Sequence, residues 1–135
     1  MGRKLILVVD DEEHVLSAIK ETLIDRYDVL TANTGRDALN KIDENNPDLV
    51  IMDILMPEVD GFEAVKILHE QRHPLNPPVI FLSAKTGQAD IDHGLSLGGM
   101  DYMTKPFSPS KLTKKIEEIF ERVEIKKRLQ QKNNK

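Results

Sequence analysis

Acidic side chains follow the first and third strands of the predicted sheet, at the point where each strand ends. Asp10 and Asp11 come directly after the apolar run LILVV, and Asp53 follows the run LVIM. The run VIFL is followed by Ser83, and the last candidate strand by Lys105. Because the carboxyl ends of parallel strands meet at one edge of a sheet, we expect these five side chains to share one pocket.

The chemistry of such a pocket follows from its charges. Two carboxylates in close contact repel by about 4 kcal/mol at an effective dielectric constant of about 20. Either their pKa values rise or a cation joins them, and an oxygen-only site of this kind suits Mg²⁺, or alternatively Mn²⁺. A divalent ion, the Lys105 ammonium and the Ser83 hydroxyl would together neutralise a phosphoryl group in transfer. One carboxylate would then act as the nucleophile.

Some of the polar residues fit ordinary structural roles better. Glu12 and Glu13 suit the beginning of a helix, where the helix dipole favours negative charge. His69 and His73 lie four residues apart on one predicted helix, a spacing that can bind zinc, but the sequence offers no third ligand nearby. We therefore interpret both histidines as surface residues.

Strand-length apolar runs alternate with segments of helical period along the chain. The strands are predicted at Leu5–Val9, Val29–Ala32, Leu49–Met52, Val79–Leu82 and Tyr102–Thr104. The first, third and fourth are continuously apolar, as in strands buried on both faces, whereas the second and fifth are mixed, as at sheet edges. Helix signals lie between the strands, including Thr34 and Ser108 as N-caps and Gly98 after a helix end. This alternation predicts a three-layer, doubly wound α/β fold with a parallel sheet.

The composition limits the remaining classes. The chain has 135 residues, which suits one domain, and its lack of cysteine excludes disulfides and thiolate metal sites. No apolar run approaches the roughly 18 residues of a membrane span, so we expect a cytoplasmic protein without membrane insertion. The net charge is −4, although Glu121–Lys135 carries six basic and two acidic residues. An acidic body with a basic tail does not predict direct nucleic-acid binding.

Four segments resemble the receiver domain of bacterial two-component response regulators. They are VVDDE at 8–12, DLVIMDILMPEVDGFE at 48–63, VIFLSA at 79–84 and GGMDYMTKPF at 98–107. Their order and spacing match the family from Lys4 to Val123. The resemblance implies a flavodoxin-like (βα)5 fold of strand order 2-1-3-4-5. It places the receiver domain at residues 4–123 and leaves 124–135 as a basic polar tail, either a helix extension or a linker.

The resemblance assigns the acidic residues by position. Asp53 matches the phosphoacceptor. Asp10, Asp11, Asp53 and the backbone carbonyl of Leu55 match the ligands of Mg²⁺. Leu55 and Lys85, each two residues beyond a site residue, match positions that flank the phosphoryl group.

The remaining roles belong to the phosphoryl-binding and switch positions. Lys105 and Ser83 match the residues that bind the phosphoryl group. Ser83 also matches the switch hydroxyl, and Tyr102 matches the switch aromatic residue. The family further leads us to expect a cis bond before Pro106, which an X–Pro bond adopts at modest cost.

The function that the resemblance implies is a phosphorylation-dependent signalling switch, not a conventional enzyme. A sensor histidine kinase or a phosphotransfer protein would supply the phosphoryl group. The face of the fourth helix, fifth strand and fifth helix would meet a downstream target, with a homodimer as another possibility. The sequence shows no output domain, so this is either a stand-alone receiver or part of a larger regulator or hybrid kinase.

Two other functions remain open from the residues. A phosphohydrolase of the haloacid-dehalogenase type also uses an aspartyl nucleophile, but it usually has a second acid two residues later, where this chain has Leu55. A pseudo-receiver would bind partners without phosphorylation, although the acid pair, Asp53, Ser83 and Lys105 argue against it.

Overall fold

The computed structural model describes residues 2–72 and 76–133, in which five strands and five helices alternate. The strands are β1 (Leu5–Val9), β2 (Asp28–Ala32), β3 (Leu49–Met52), β4 (Val79–Ser83) and β5 (Asp101–Thr104). The helices are α1 (Glu13–Leu23), α2 (Gly35–Asn45), α3 (Gly61–Arg72), α4 (Gln88–Ser96) and α5 (Pro109–Asn133). Three strands exceed their predicted bounds by one residue, and Ser83 therefore lies inside β4.

The strands form one parallel sheet of order β2-β1-β3-β4-β5, which confirms the predicted topology. The mixed strands β2 and β5 lie at its edges, as their sequences predict. Val9 is in register with Met52, so β1 and β3 end side by side at the carboxyl edge. The residues that follow these two strands are therefore neighbours.

Apolar side chains fill a layer on each face of the sheet because successive strand residues point to opposite sides. Leu7 and Val9 of β1 pack with residues of α2 and α3 on one face. Ile6 and Val8 pack with residues of α1 and α5 on the other. The continuously apolar β1, β3 and β4 supply both layers, which explains their composition.

The helix ends follow local sequence signals. The Thr34 hydroxyl accepts a hydrogen bond of 2.9 Å from the Asp37 N–H and begins α2. Ser108 accepts one of 3.5 Å from the Lys111 N–H at the beginning of α5. Gly98, with φ of 115°, follows α4 in the left-handed region that a glycine adopts without a Cβ clash. All three signals were predicted from the sequence.

Helix α5 extends further than its apolar stripe. Leu112, Ile116 and Ile119 are fully buried against the sheet, and Val123 is the last residue that packs on this layer. The side chains of residues 124–132 are all exposed, although the helix continues to Asn133. The domain boundary near Val123 stays a prediction. Among the helices of the described ranges, none is both long and apolar enough to span a bilayer.

Candidate functional site

Two buried carboxylates lie at the carboxyl edge of the sheet. Asp10 follows β1 and donates its N–H to the Ala32 carbonyl at 3.1 Å, and Asp53 follows β3 and donates its N–H to the Val9 carbonyl at 2.9 Å. Sheet hydrogen bonding therefore continues one residue past each strand and fixes both backbones. Asp10 is 2% exposed and Asp53 is 3% exposed.

One cation bridges the two carboxylates. The Lys105 Nζ lies 2.6 Å from Asp10 Oδ2 and 3.3 Å from Asp53 Oδ2. The backbone N–H of Lys105 donates to the Ser83 carbonyl at 2.8 Å, which extends the β4–β5 pairing to the lysine. The peptide bond between Lys105 and Pro106 is cis. The structure thus brings together three of the predicted site residues from three different strand ends.

The electrostatics of this group favour a proton or a cation beside Asp53. Burial raises the pKa of Asp53, the Asp10 charge raises it further, and Lys105 offsets part of the effect. Burial acts to lower the pKa of Lys105, but its hydrogen bond to Asp10 and the charges of Asp53 and Asp10 outweigh this and raise it. A lysine held this way remains charged at neutral pH.

The oxygen-rich part of the site includes a residue that the sequence analysis placed elsewhere. Carboxylate oxygens of Asp10, Asp11 and Glu12 lie within 4.8 Å of one another, whereas Asp53 is joined to Asp10 through Lys105. Glu12 precedes the first turn of α1 as its N-cap, makes no side-chain capping bond, and lies 3.8 Å from Lys105 Nζ. Sequence reasoning missed this contact because it assigned Glu12 only to the helix beginning.

A glycine lets the backbone pass closely beneath Asp53. The Gly61 N–H donates to the Ile54 carbonyl at 3.0 Å. A Cβ at this position would lie 2.2 Å from the Asp53 carbonyl oxygen and 2.8 Å from the Ile54 Cα. No side chain fits there, so a glycine is needed for the close packing of α3 against the segment after β3.

The predicted switch residues meet around the segment after β4. Ser83 is fully buried, and its Oγ accepts a hydrogen bond of 3.3 Å from the Lys85 N–H. The Tyr102 hydroxyl donates to the Lys85 carbonyl at 2.8 Å, and its half-buried ring lies 6.1 Å from that of Phe81. Burial raises the pKa of Tyr102, and the neighbouring Ser83 side chain offsets part of this effect. Ser83 and Tyr102 thus hold the same loop.

The two flanking positions border the site on its solvent side. Leu55 is 51% exposed, and its N–H lies 3.4 Å from Asp53 Oδ1. The Lys85 Nζ lies 3.7 Å from Asp90 Oδ1. Both residues line a cleft of about 320 Å³ beside the β3–α3 segment. The metal role predicted for the Leu55 carbonyl stays a prediction.

The family model described as the response regulator receiver domain matches residues 6–117. The chain belongs to this family. It is 43% identical over 123 residues to the alkaline phosphatase synthesis transcriptional regulatory protein PhoP of Bacillus subtilis, covering 90% of this chain and 50% of that protein. The receiver domain thus spans about half the length of the curated relatives it matches.

Solved structures agree with this assignment. The receiver domain of the Francisella response regulator 1452 superposes with a TM-score of 0.83 at 35% identity, covering 90% of this chain and 99% of that one. The chemotaxis protein CheY4 of Vibrio cholerae gives 0.81 at 32% identity, covering 87% and 98%. This chain is therefore a receiver domain of the two-component response-regulator family, whose members act in phosphorylation-dependent signalling with histidine kinases and output domains.

Family membership also bears on the other functions that the residues leave open. Receiver domains are signalling proteins and not conventional enzymes, and they generally bind Mg²⁺ at an acidic pocket such as the one formed by Asp10, Asp11 and Glu12. The match to the receiver family over residues 6–117 favours a signalling domain over the haloacid-dehalogenase alternative. For the zinc alternative, His73 lies outside the described residues, and His69 belongs to no group of three metal-binding side chains within the described ranges.

Proposed function

We propose that Asp53 is the phosphoacceptor of this receiver domain. A carboxylate oxygen of Asp53 attacks the phosphorus atom of a phosphohistidine on a sensor kinase or phosphotransfer protein. The P–N bond breaks, a P–O bond to Asp53 forms, and the imidazole leaves with the electron pair. The observation that carries the proposal is the buried Asp53 carboxylate, held 3.3 Å from the Lys105 ammonium at a sheet edge.

The neighbouring residues would stabilise the charge that the phosphoryl group brings. We propose that Lys105 moves from its contacts with Asp10 and Asp53 to a phosphoryl oxygen. The donor set of Asp10, Asp11, Asp53 and the Leu55 carbonyl consists of hard oxygens, which fits Mg²⁺. When bound, Mg²⁺ would offset the carboxylate repulsion and the phosphoryl charge. Mn²⁺ suits the same ligands.

The proposed switch uses the loop that Ser83 and Tyr102 share. The Ser83 hydroxyl would turn from the Lys85 N–H to donate to the phosphoryl group, and Tyr102 would follow the altered loop. A cleft of about 490 Å³ between α4, β5 and α5 lies beside Tyr102 and is the proposed surface for a downstream protein or output domain. Phosphorylation would shift the population between two states of this face. The proposed compartment is the cytoplasm, as the sequence predicts.

Substitution of the acceptor tests the proposal. With acetyl phosphate and Mg²⁺, we expect the unmodified chain to gain one acid-labile phosphate, whereas Asp53→Asn gains none. Asp25→Asn removes an exposed acid after α1 and should incorporate phosphate normally. Full incorporation in Asp53→Asn would overturn the assignment. The same assay separates a pseudo-receiver, which would respond neither to acetyl phosphate nor to beryllofluoride.

The flanking positions are proposed to set how long the phosphoryl group survives. Leu55 cannot hold an attacking water by hydrogen bonding, because its side chain is apolar. We expect Leu55→Asn to change the dephosphorylation rate several-fold, measured by the decay of labelled protein after removal of the phosphodonor. Identical decay curves for the two proteins would refute this role.

A further inference from the structure

Lys85 is connected to three different elements of the domain. Its N–H donates to the buried Ser83 Oγ at 3.3 Å, and its carbonyl accepts a hydrogen bond from the Tyr102 hydroxyl at 2.8 Å. Its side chain contacts α4, since the Nζ lies 3.7 Å from Asp90 Oδ1 in the first turn of that helix. One residue thus joins the end of β4, the edge strand β5 and the beginning of α4.

The Lys85 side chain also borders the candidate site. Together with Leu55 it lines the cleft of about 320 Å³ beside the β3–α3 segment, and the Leu55 N–H lies 3.4 Å from Asp53 Oδ1. Lysine has a long, flexible stem and a compact charge, so its ammonium can exchange partners while the backbone stays in place. A phosphoryl group on Asp53 would bring about two negative charges, whereas the Asp90 carboxylate carries one.

Helix α4 buries little of its surface. In the described part of the chain, α4 has one buried residue, Gly94, whereas each of the other four helices has at least three. Gly87 is the N-cap of α4, and no side chain makes a capping hydrogen bond there. Because few buried side chains hold α4, its first turn depends more on the Lys85–Asp90 pair than a well-buried helix would.

We propose that Asp90 is a positioning residue that holds the Lys85 ammonium away from Asp53 until Asp53 is phosphorylated. The phosphoryl group then takes Lys85 from Asp90, and the first turn of α4 loses its ion pair. Ile91 in this turn lines the cleft between α4, β5 and α5, so the release reaches the proposed partner surface. The role of Asp90 rests on the proposed function, in which Asp53 is the acceptor.

The strength of the Lys85–Asp90 pair allows this exchange. The two side chains are 39% and 37% exposed, so solvent screens their attraction. Such a pair changes an equilibrium constant by about fivefold at most. A buried pair would retain Lys85 against the phosphoryl group, whereas a half-exposed pair releases it at small cost.

Binding of beryllofluoride, which takes the place of the phosphoryl group, tests the competition for Lys85. With Mg²⁺ present, we expect Asp90→Asn to bind beryllofluoride about two- to fivefold more tightly than the unmodified chain, measured by isothermal titration calorimetry. In a Lys85→Met background, Asp90→Asn should leave the dissociation constant unchanged. The matched control Asp92→Asn removes an exposed acid from the same helix and should leave the constant unchanged in both backgrounds.

The comparison of the two backgrounds separates this role from other effects of Asp90. Equal tightening with and without Lys85 would show that Asp90 acts through the helix dipole or the net charge, and would overturn the proposal. Unchanged binding in Asp90→Asn would also overturn it, while leaving Asp53 as the acceptor. An unmodified chain that does not bind beryllofluoride at all would instead refute the proposed function, and the role of Asp90 with it.

Hydrogen exchange measures the consequence for α4. The Ile91 N–H donates to the Gly87 carbonyl at 3.2 Å in the first turn of the helix. Its exchange should accelerate about two- to fivefold when beryllofluoride and Mg²⁺ bind the unmodified chain. In Lys85→Met the ion pair is absent from the start, so binding should cause no acceleration. A constant exchange rate in the unmodified chain, or an equal acceleration in Lys85→Met, would contradict the release of α4.

Discussion

The two edges of the sheet differ in whether their charged side chains are buried or exposed to solvent. At the carboxyl edge, Asp10 and Asp53 are almost fully buried and share the cation of Lys105. At the amino edge, Arg26 and Glu117 form a separate pair of 2.6 Å, with side chains 57% and 48% exposed. Exposed pairs contribute little to stability, whereas buried like charges carry a desolvation cost and repel each other.

The amino edge therefore contributes to the stability of the domain, whereas the carboxyl edge carries the candidate functional site. The amino edge joins the segment between α1 and β2 to α5 through the Arg26–Glu117 pair and the rings of Tyr27 and Phe120, whose centroids lie 5.7 Å apart. The carboxyl edge instead concentrates buried negative charge, which a proton or a cation such as the Lys105 ammonium balances. We therefore expect substitutions at the carboxyl edge to have large and sometimes stabilising effects, and those at the amino edge to have small ones.

Gly61→Ala is expected to have the largest effect on stability. Its Cβ would lie 2.2 Å from the Asp53 carbonyl oxygen, so the backbone must move. We expect a loss of about 3 kcal/mol in the free energy of unfolding, measured by urea denaturation. Gly87→Ala is the matched control, because the nearest atom to its Cβ is a side-chain oxygen of Asp90 at 3.3 Å. Equal losses for the two variants would contradict this role of Gly61.

Lys105→Met is expected to have the second-largest effect on stability. Because the pKa of Lys105 is raised on folding by its carboxylate partners, its stabilisation is fully present from neutral pH to about pH 10 and is lost as the pH rises further. Removing it at pH 7 without Mg²⁺ leaves two buried carboxylates uncompensated, at a cost of about 2 kcal/mol. The cost should shrink at low pH, where Asp53 becomes protonated. A pH-independent loss would argue against charge as the cause.

Asp53→Asn is expected to increase stability in the absence of Mg²⁺. The pKa of Asp53 is raised on folding, so its ionised form costs stability at pH values above its ordinary pKa of about 4. We expect a gain of about 1 kcal/mol at pH 7 that disappears as the pH falls below about 4. Thermal unfolding with EDTA measures it, with Asp25→Asn as a control. A loss of stability at pH 7 would contradict the electrostatic account.

Glu117→Gln at the amino edge is expected to have the smallest effect. It removes one exposed partner of Arg26, at a cost of about 0.5 kcal/mol. Phosphate incorporation from acetyl phosphate should match that of the unmodified chain. A loss of incorporation together with normal stability would show that the amino edge also supports the site.

The sequence predicts which residues gather at the carboxyl edge better than it predicts the contacts among those residues. The sequence predicts that Asp10, Asp53 and Lys105 lie together, because the carboxyl ends of parallel strands converge at one edge of the sheet. The contact of Glu12 with Lys105 was not predicted, because it depends on where α1 begins to within one residue. The sequence does not predict the close approach of Gly61 to Asp53, since a single sequence gives no distance between segments.

Prediction from the sequence meets the same limit at the C-terminal end of α5. The apolar stripe predicts burial up to Val123, and the polar residues beyond it were compatible with either a helix extension or a linker. The structure shows a helix to Asn133. Helical continuity there reflects good helix-forming residues such as Lys, Arg, Leu and Gln, which a burial pattern does not report.

Chemical mapping of the phosphorylated residue tests the central claim most directly. Borohydride reduces an aspartyl phosphate to homoserine, and peptide mass spectrometry then identifies the converted position after treatment with acetyl phosphate and Mg²⁺. We predict homoserine at position 53 alone, and none when the phosphodonor is omitted. Homoserine at position 10 or 11, or phosphate retained with no conversion at position 53, would contradict the assignment of Asp53 as the acceptor.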